Sequence, residues 1–187
     1  AMIAARTNKE KIDQSDLEAA QDKVLLGLQR KGVSVSEEEL GLLAFHEAGH
    51  ALLSLTLPNA DPLQKISIMP RSKSLGLTQQ SPEREMYIYP QDYLKDRLCV
   101  MMGGRAAEKL IFNRLTTGAA SDLKEATKLS RKMVMEWGMN STLGPFSPET
   151  RDDGVFLGKE LAHQGRDYSD KTAREVDEDV KLILNEA

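Results

Sequence analysis

The chain has 187 residues, enough for one packed domain with a fragment of a second. A hydrophobic content of 40% and a charged content of 29% suit a globular protein, while a net charge of −4 and 5% aromatics argue against a general nucleic-acid binder. No apolar run approaches the roughly 18–20 residues of a spanning helix and no signal peptide is visible, so this stretch is expected to be soluble, with any membrane anchor in a longer parent chain.

The first 30 residues read as charged and helical. "DQSDLEAAQDKVLLGLQ" predicts an amphipathic helix capped at Ser15, with Leu17, Ala20, Val24 and Leu25 at its apolar positions. Gly32 and two serines in "RKGVSVS" predict a linker. Ser36 and Glu39 then supply a capping box, opening a helix that runs to about Leu57 and is stopped by Pro58. Its middle is nearly all apolar, so burial on most sides is expected. Two alternating runs follow, "PLQKISIMP" around Ile66 and Ile68 and "SLGLTQQ" through Leu75, Leu77 and Gln79. They predict a hairpin across "PRSKS".

After the loop "SPEREMYIYP", Pro90 is the expected first residue of a helix carrying Tyr93, Leu94, Leu98, Val100 and Met101. The Gly103-Gly104 pair either interrupts it or permits close helix packing, and helical text resumes in "RAAEKLIF". "NRLTTGAAS" reads as a loop turning at Gly118. Thr117 or Ser121 then caps a helix through Leu129, Met133, Val134 and Trp137 to Gly138. The loop-rich "NSTLGPFSPETRDDG" leads towards a last helix from about Ser169, with Ala173, Val176, Val180 and Ile183 on one face. There is no internal repeat. The single cysteine, Cys99, sits in apolar text and reads as a small buried hydrophobe. From the helix-like text at both ends the chain is expected to be a piece of a longer one, with Ala1 and Met2 either native or left from cloning. The expected fold is mainly α with one small β-hairpin.

The chemistry concentrates in "LLAFHEAGHALLSL". His46 and His50 lie four apart, so a helix presents both imidazoles on one face, one turn apart, as a pair of nitrogen ligands for a tetrahedral ion such as zinc. Glu47 follows the first histidine and completes the H-E-x-x-H arrangement, in which it serves as general base towards the metal's water. The competing reading is an ordinary buried helix with a histidine pair. Against it, the chain has only three histidines and two fall here, and a buried unpaired Glu47 would cost several kcal/mol. Gly49 costs roughly 1 kcal/mol relative to alanine inside a helix, which another backbone passing close by would explain.

A catalytic zinc takes three protein ligands and keeps one position open. The extended metzincin pattern would need a glycine at position 53 and a histidine at position 56, where this chain has Leu53 and Thr56. His163 lies in polar, loop-rich text and reads as a surface residue. Two carboxylates remain, Glu108 in "GGRAAEKL" and Asp122 in "TTGAASDLKEAT", and spacing alone does not separate them. An aspartate near a helix N-terminus is also an ordinary capping residue.

"FHEAGHAL", "DPLQKISIMPR", "LGLTQQ", "GGRAAEKL", "TTGAASDL" and "EWGM" stand in an order that closely resembles the FtsH family, membrane-anchored AAA+ zinc metalloproteases of bacteria, mitochondria and chloroplasts. The resemblance implies that residues 1–32 are the end of the AAA+ helical lid with its linker, and that 33–187 are the zinc metallopeptidase domain. It makes Asp122 the third zinc ligand and Glu108 a residue that orients a ligating histidine. It further implies one zinc per chain, a ring-shaped homo-hexamer, and ATP- and Mg2+-driven unfolding that feeds unfolded polypeptide to the zinc sites. No nucleic-acid partner is implied. The parent is expected in the bacterial inner membrane with this domain in the cytoplasm, or alternatively in a mitochondrial or chloroplast membrane. No G-x-x-x-x-G-K-[ST] run occurs, so this stretch is not expected to hydrolyse ATP, which also makes a nucleotide-binding regulator remote. "GLQRKGVSV" and "FSPETRDDGVFLGKELAHQG" depart from the family's text without touching the zinc motif.

"SLGLTQQ" has a second expected role. An extended peptide can add to the strand's free edge through main-chain hydrogen bonds, which tolerates any side chain, so Leu75, Gly76, Leu77 and Thr78 are the candidate substrate-binding residues. The leading expectation is thus a metalloendopeptidase, with a ring-holding assembly module built on a closed, structural zinc site as the alternative from another class.

Overall fold

The computed structural model describes residues 2–25, 27–28, 35–69, 75–147 and 168–187. Two N-terminal helices, α1 (Met2–Arg6) and α2 (Gln14–Leu25), precede α3 (Glu37–Thr56), the strands β1 (Leu63–Ser67) and β2 (Leu77–Gln80), and α4 (Gln91–Phe112). A 3-10 turn over Thr117–Ala119 leads into α5 (Ala120–Met135), and α6 (Asp170–Glu186) closes the chain described. The fold is mainly helical, with β1 and β2 forming one two-stranded antiparallel sheet. The linker "RKGVSVS", the hairpin turn and His163 lie wholly or largely outside the described residues.

Local signals set most of the boundaries. Ser36 caps α3, its hydroxyl accepting from the Glu39 amide at 3.2 Å while the Glu39 carboxylate accepts from the Ser36 amide at 3.1 Å. Ser169 caps α6 through the Thr172 amide, also at 3.2 Å. Several boundaries move by a residue or two. Pro90 is the N-cap of α4 rather than its first residue. The cap expected at Ser15 falls on Asp13, whose Oδ1 accepts from the Asp16 amide at 3.0 Å, and among the described side chains of that helix Asp16 is buried while Leu17 and Val24 are exposed. Thr116, rather than Thr117 or Ser121, caps the turn before α5 by accepting from the Gly118 amide. α5 stops at Met135, short of Trp137, and Gly138 takes the expected left-handed turn at φ +61°. β2 starts at Leu77, so Leu75 and Gly76 precede the strand.

The hydrophobic core lies between α4, α5 and α6. Tyr93, Leu94 and Leu98 of α4 pack on Ala126 and Met133 of α5, and Val134 and Met135 pack on Val176 and Val180 of α6. The 3.6-residue periodicity read from the chain is satisfied here. α3 behaves otherwise. It is the most apolar helix in text, yet Leu52 and Leu55 are 62% and 70% exposed while His46, Glu47, His50 and Ser54 are buried. The expectation of burial on most sides is therefore corrected: α3 turns its polar face inward, because that face meets α4.

The α3–α4 crossing is backbone on backbone. A Cβ added at Gly49 would overlap the Gly103 carbonyl oxygen and stand 2.8 Å from the Ala107 Cβ, and one added at Gly103 would stand 2.8 Å from the Gly49 carbonyl oxygen. The glycine pair in α4 does not interrupt the helix; it lets α3 approach. The hairpin packs on α3 with Ile66 paired to Thr78 and Ser67 to Leu77; a bulge falls between Leu63 and Lys65, and the strand's alternation leaves Ile66 on the outer face. Lys65 reaches Asp22 at 2.7 Å and ties α2 to the hairpin.

Gly49→Ala tests the crossing. Alanine improves helix propensity by about 1 kcal/mol, but its methyl group meets backbone that cannot yield, so the variant is expected to lose about 1–3 kcal/mol net in chemical denaturation.

Candidate metal centre

The close crossing sets the two imidazoles of α3 against α4. His46 Nδ1 lies 2.7 Å from Glu108 Oε1, and His50 Nδ1 lies 2.6 Å from the Val100 carbonyl oxygen. Both partners are acceptors, so both Nδ1 atoms donate, and each neutral ring carries its lone pair on Nε2. The two Nε2 atoms face each other at 3.0 Å. Asp122 Oδ2, from the first turn of α5, stands 3.2 Å from His46 Nε2 and 3.6 Å from His50 Nε2.

Three acceptor atoms thus converge with no hydrogen between them in the neutral state. Such a cluster is stable only around a cation or a captured proton. Ligands about 2.0–2.1 Å from a tetrahedral ion stand about 3.3 Å apart, close to the spacing seen here, so the donor set fits a divalent ion of tetrahedral preference. Gly104 completes the cradle. A Cβ there would stand 2.5 Å from both Nε2 atoms, inside the space that an ion and its ligands need.

The acid–base balance follows from this crowding. Burial works to lower the His46 pKa, but the carboxylates of Asp122 and Glu108 outweigh it and raise the value above 6.5. Burial works to raise the Asp122 pKa, but contacts with His46 and His50 hold it well below the usual carboxylate range. The N-terminus of α5 adds favourable potential for that anion.

Glu108 is not a converging donor. It is buried, with Oε1 on His46 and Oε2 accepting from the Thr116 amide at 2.8 Å. Both its oxygens are committed, and they join α3 to the turn that precedes Asp122. Of the two carboxylates left open by spacing, Asp122 is the one brought to the Nε2 atoms, and its side chain faces them rather than the backbone of its own helix.

Glu47 is buried beside the cluster and held from the hairpin. The Thr78 hydroxyl lies 2.6 Å from Glu47 Oε2 and 3.0 Å from the Glu47 carbonyl oxygen. Gly76 runs past Oε1, which a Cβ at that position would strike. A cleft of about 770 Å³ opens here, lined by His46, Glu47, Gly76, Leu77, Thr78 and Asp122 among others. Sequence reasoning missed the roles of Val100, Gly104 and Thr116. The Gly103-Gly104 pair inside a helix was the only signal for any of them.

The pKa directions set the pH response of the metal-free protein. A group whose folded pKa is raised stabilises fully below its unfolded value and loses that contribution as pH rises through the folded one. For His46 this begins at 6.5. Asp122 acts oppositely, its contribution being lost only as pH falls below the ordinary carboxylate range. The contribution of His46 is thus the one lost as pH rises above 6.5. Chelator-treated protein is expected to lose this stabilisation towards pH 8, while affinity for added divalent metal rises as the proton leaves. Thermal melts and metal titrations across that range check both directions.

The chain was compared with known proteins. It is 51% identical over 187 residues to the ATP-dependent zinc metalloprotease FtsH 2 of Salinibacter ruber, covering all of this chain and 27% of that protein. It is 43% identical over 187 residues to the ATP-dependent zinc metalloprotease FtsH of Acidobacterium capsulatum and 45% identical over 186 residues to that of Nitrosococcus oceani, covering all of this chain and 29% of each. The chain thus spans less than a third of the length of these relatives. Residues 33–187, the stretch of this chain that carries α3, the hairpin and α5, match the model of peptidase family M41, and the chain belongs to that family.

Proposed function

We propose that this chain is the peptide-hydrolysing unit of a larger zinc protease, with zinc held by His46, His50 and Asp122 and with Glu47 as general base. The observation that carries this reading is the convergence of three acceptor atoms, two Nε2 and one carboxylate oxygen, beside a buried glutamate at the wall of an open cleft. Zinc, when bound, supplies a Lewis acid and brings the pKa of water down to about 7. Glu47 takes a proton from the attacking water and later delivers it to the departing amide nitrogen, as the new C–O bond forms and the C–N bond breaks. Glu108 and the Val100 carbonyl keep both histidines in the tautomer that presents Nε2. The open cleft counts against a closed structural site that would serve assembly alone.

The hairpin supports a route for substrate. Among the described residues, β2 pairs with β1 along one edge and has no strand on the other, and it lines the cleft with Leu77 and Thr78. An extended polypeptide adds along the other edge through main-chain hydrogen bonds, indifferent to its side chains. Leu75 and Gly76 lead into that edge rather than forming part of it.

The remaining features belong to the whole protein. We infer a membrane-anchored homo-hexamer in which an ATP- and Mg2+-dependent AAA+ module unfolds polypeptide and delivers it to this domain. Residues 1–32 are the end of that module's lid. No helix among the described residues is long and apolar enough to cross a membrane. The names of the relatives, ATP-dependent zinc metalloproteases of bacteria, support the ATP-dependent part of this reading. The bacterial inner membrane, with the peptidase on its cytoplasmic side, is inferred from the resemblance of the motifs.

Two experiments test the site. Glu47→Gln is expected to keep one zinc per chain, by metal analysis, and to lose cleavage of unfolded casein by about 10²–10⁴-fold, whereas Asp122→Ala loses the zinc itself. Wild-type cleavage by Glu47→Gln would remove Glu47 from the mechanism. For the strand, a folded Leu77→Pro variant, in which a ladder amide is missing, is expected to raise KM for casein with zinc retained. Normal casein cleavage by that variant would sink the docking role.

A further inference from the structure

We propose that Thr78 is a positioning residue for the general base, and that Gly76 is a glycine because of it. This rests on the reading of Glu47 as base. Glutamate has three side-chain torsions, and a free carboxylate near a cation would swing between coordinating it and facing solvent. A base needs one oxygen kept in place and the other kept available.

The hairpin divides the two oxygens of Glu47 in this way. The Thr78 hydroxyl donates its one proton to Oε2 at 2.6 Å, and the same oxygen sits 3.0 Å from the carbonyl oxygen of that residue, so it stands against both the side chain and the backbone of Glu47. Oε1 lies against Gly76, two residues earlier, where any side chain would strike it. Oε1 is therefore the oxygen left to exchange the proton. Thr78 itself is fixed by pairing with Ile66 in the ladder, and Glu47 sits on α3, so the sheet and the helix are registered to each other at the base. A hydroxyl bond to an ionised carboxylate is among the stronger side-chain hydrogen bonds. Its removal is expected to release a preorganised geometry without touching a metal ligand.

Thr78→Val keeps the shape and removes the donor; Thr78→Ser restores it. In the zinc-loaded protein, Thr78→Val is expected to lower kcat on unfolded casein roughly ten- to a hundredfold at unchanged KM and zinc content. Thr78→Ser should stand within about threefold of wild type. A crystal structure of Thr78→Val should show Glu47 turned away from β2, a readout independent of turnover. Gly76→Ala reads the same contact from the other oxygen, with kcat reduced and zinc retained, and serves if Thr78→Val does not fold. Wild-type kcat in either folded variant, an equal loss in Thr78→Val and Thr78→Ser, or an unmoved Glu47 would overturn the proposal while leaving the base in place, provided Glu47→Gln is inactive. A fully active Glu47→Gln would overturn the base, and the positioning role with it.

Discussion

The site depends on how closely two helices cross. Gly49 of α3 and Gly103 of α4 meet backbone to backbone, and Gly104, one residue on, leaves room for two imidazole rings. Helix axes held apart by side chains stand about 8–10 Å from each other, which separates polar groups on their facing surfaces. Here the side chains are absent at the crossing, so the Val100 carbonyl and Glu108 of α4 reach the Nδ1 atoms of the α3 histidines. The helix that reads as the most hydrophobic in the chain consequently buries its two histidines and Glu47 and leaves Leu52 and Leu55 in solvent.

Satisfaction of buried polar groups carries the rest. Each histidine spends Nδ1 on a fixed acceptor, and this forces Nε2 to the front as a lone pair. Glu108 spends both oxygens, one on His46 and one on the Thr116 amide, and so places the turn that leads to Asp122. Asp122 then completes a cluster of acceptors that is incomplete by itself. The raised pKa of His46 and the depressed pKa of Asp122 have one cause, the close approach of the carboxylate to the imidazoles. The same economy extends to Glu47, whose buried carboxylate is divided between the Thr78 hydroxyl and the cleft. Three separate elements, α4 with its following turn, α5 and the hairpin, thus converge on one short segment of α3.

Much of this was legible in the chain. The capping box at Ser36, the cap at Ser169 and the apolar faces of α5 and α6 are local or periodic signals, and each element forms where its own residues direct. The H-E-x-x-H spacing determined that His46 and His50 share a face, because helix geometry alone enforces it. Gly49, unfavourable inside a helix, correctly announced a close neighbour. Boundaries slipped at Asp13, Pro90 and Leu77, where capping and register depend on hydrogen bonds that no propensity encodes.

What the sequence determined by itself was the kind of chemistry, two imidazoles and a glutamate at fixed separation along one helix. It left Glu108 and Asp122 equivalent, since both are carboxylates on helices at large separation from the motif. Only the tertiary structure divided them, sending Glu108 to Nδ1 and Asp122 to Nε2. It likewise decided which face of α3 is buried, and it brought Thr78 to Glu47 across 31 residues of chain. The physical reason is the same in each case. A ligand set is a property of crossing geometry and of which acceptors are already committed, and neither quantity is written in the spacing of residues along a single element.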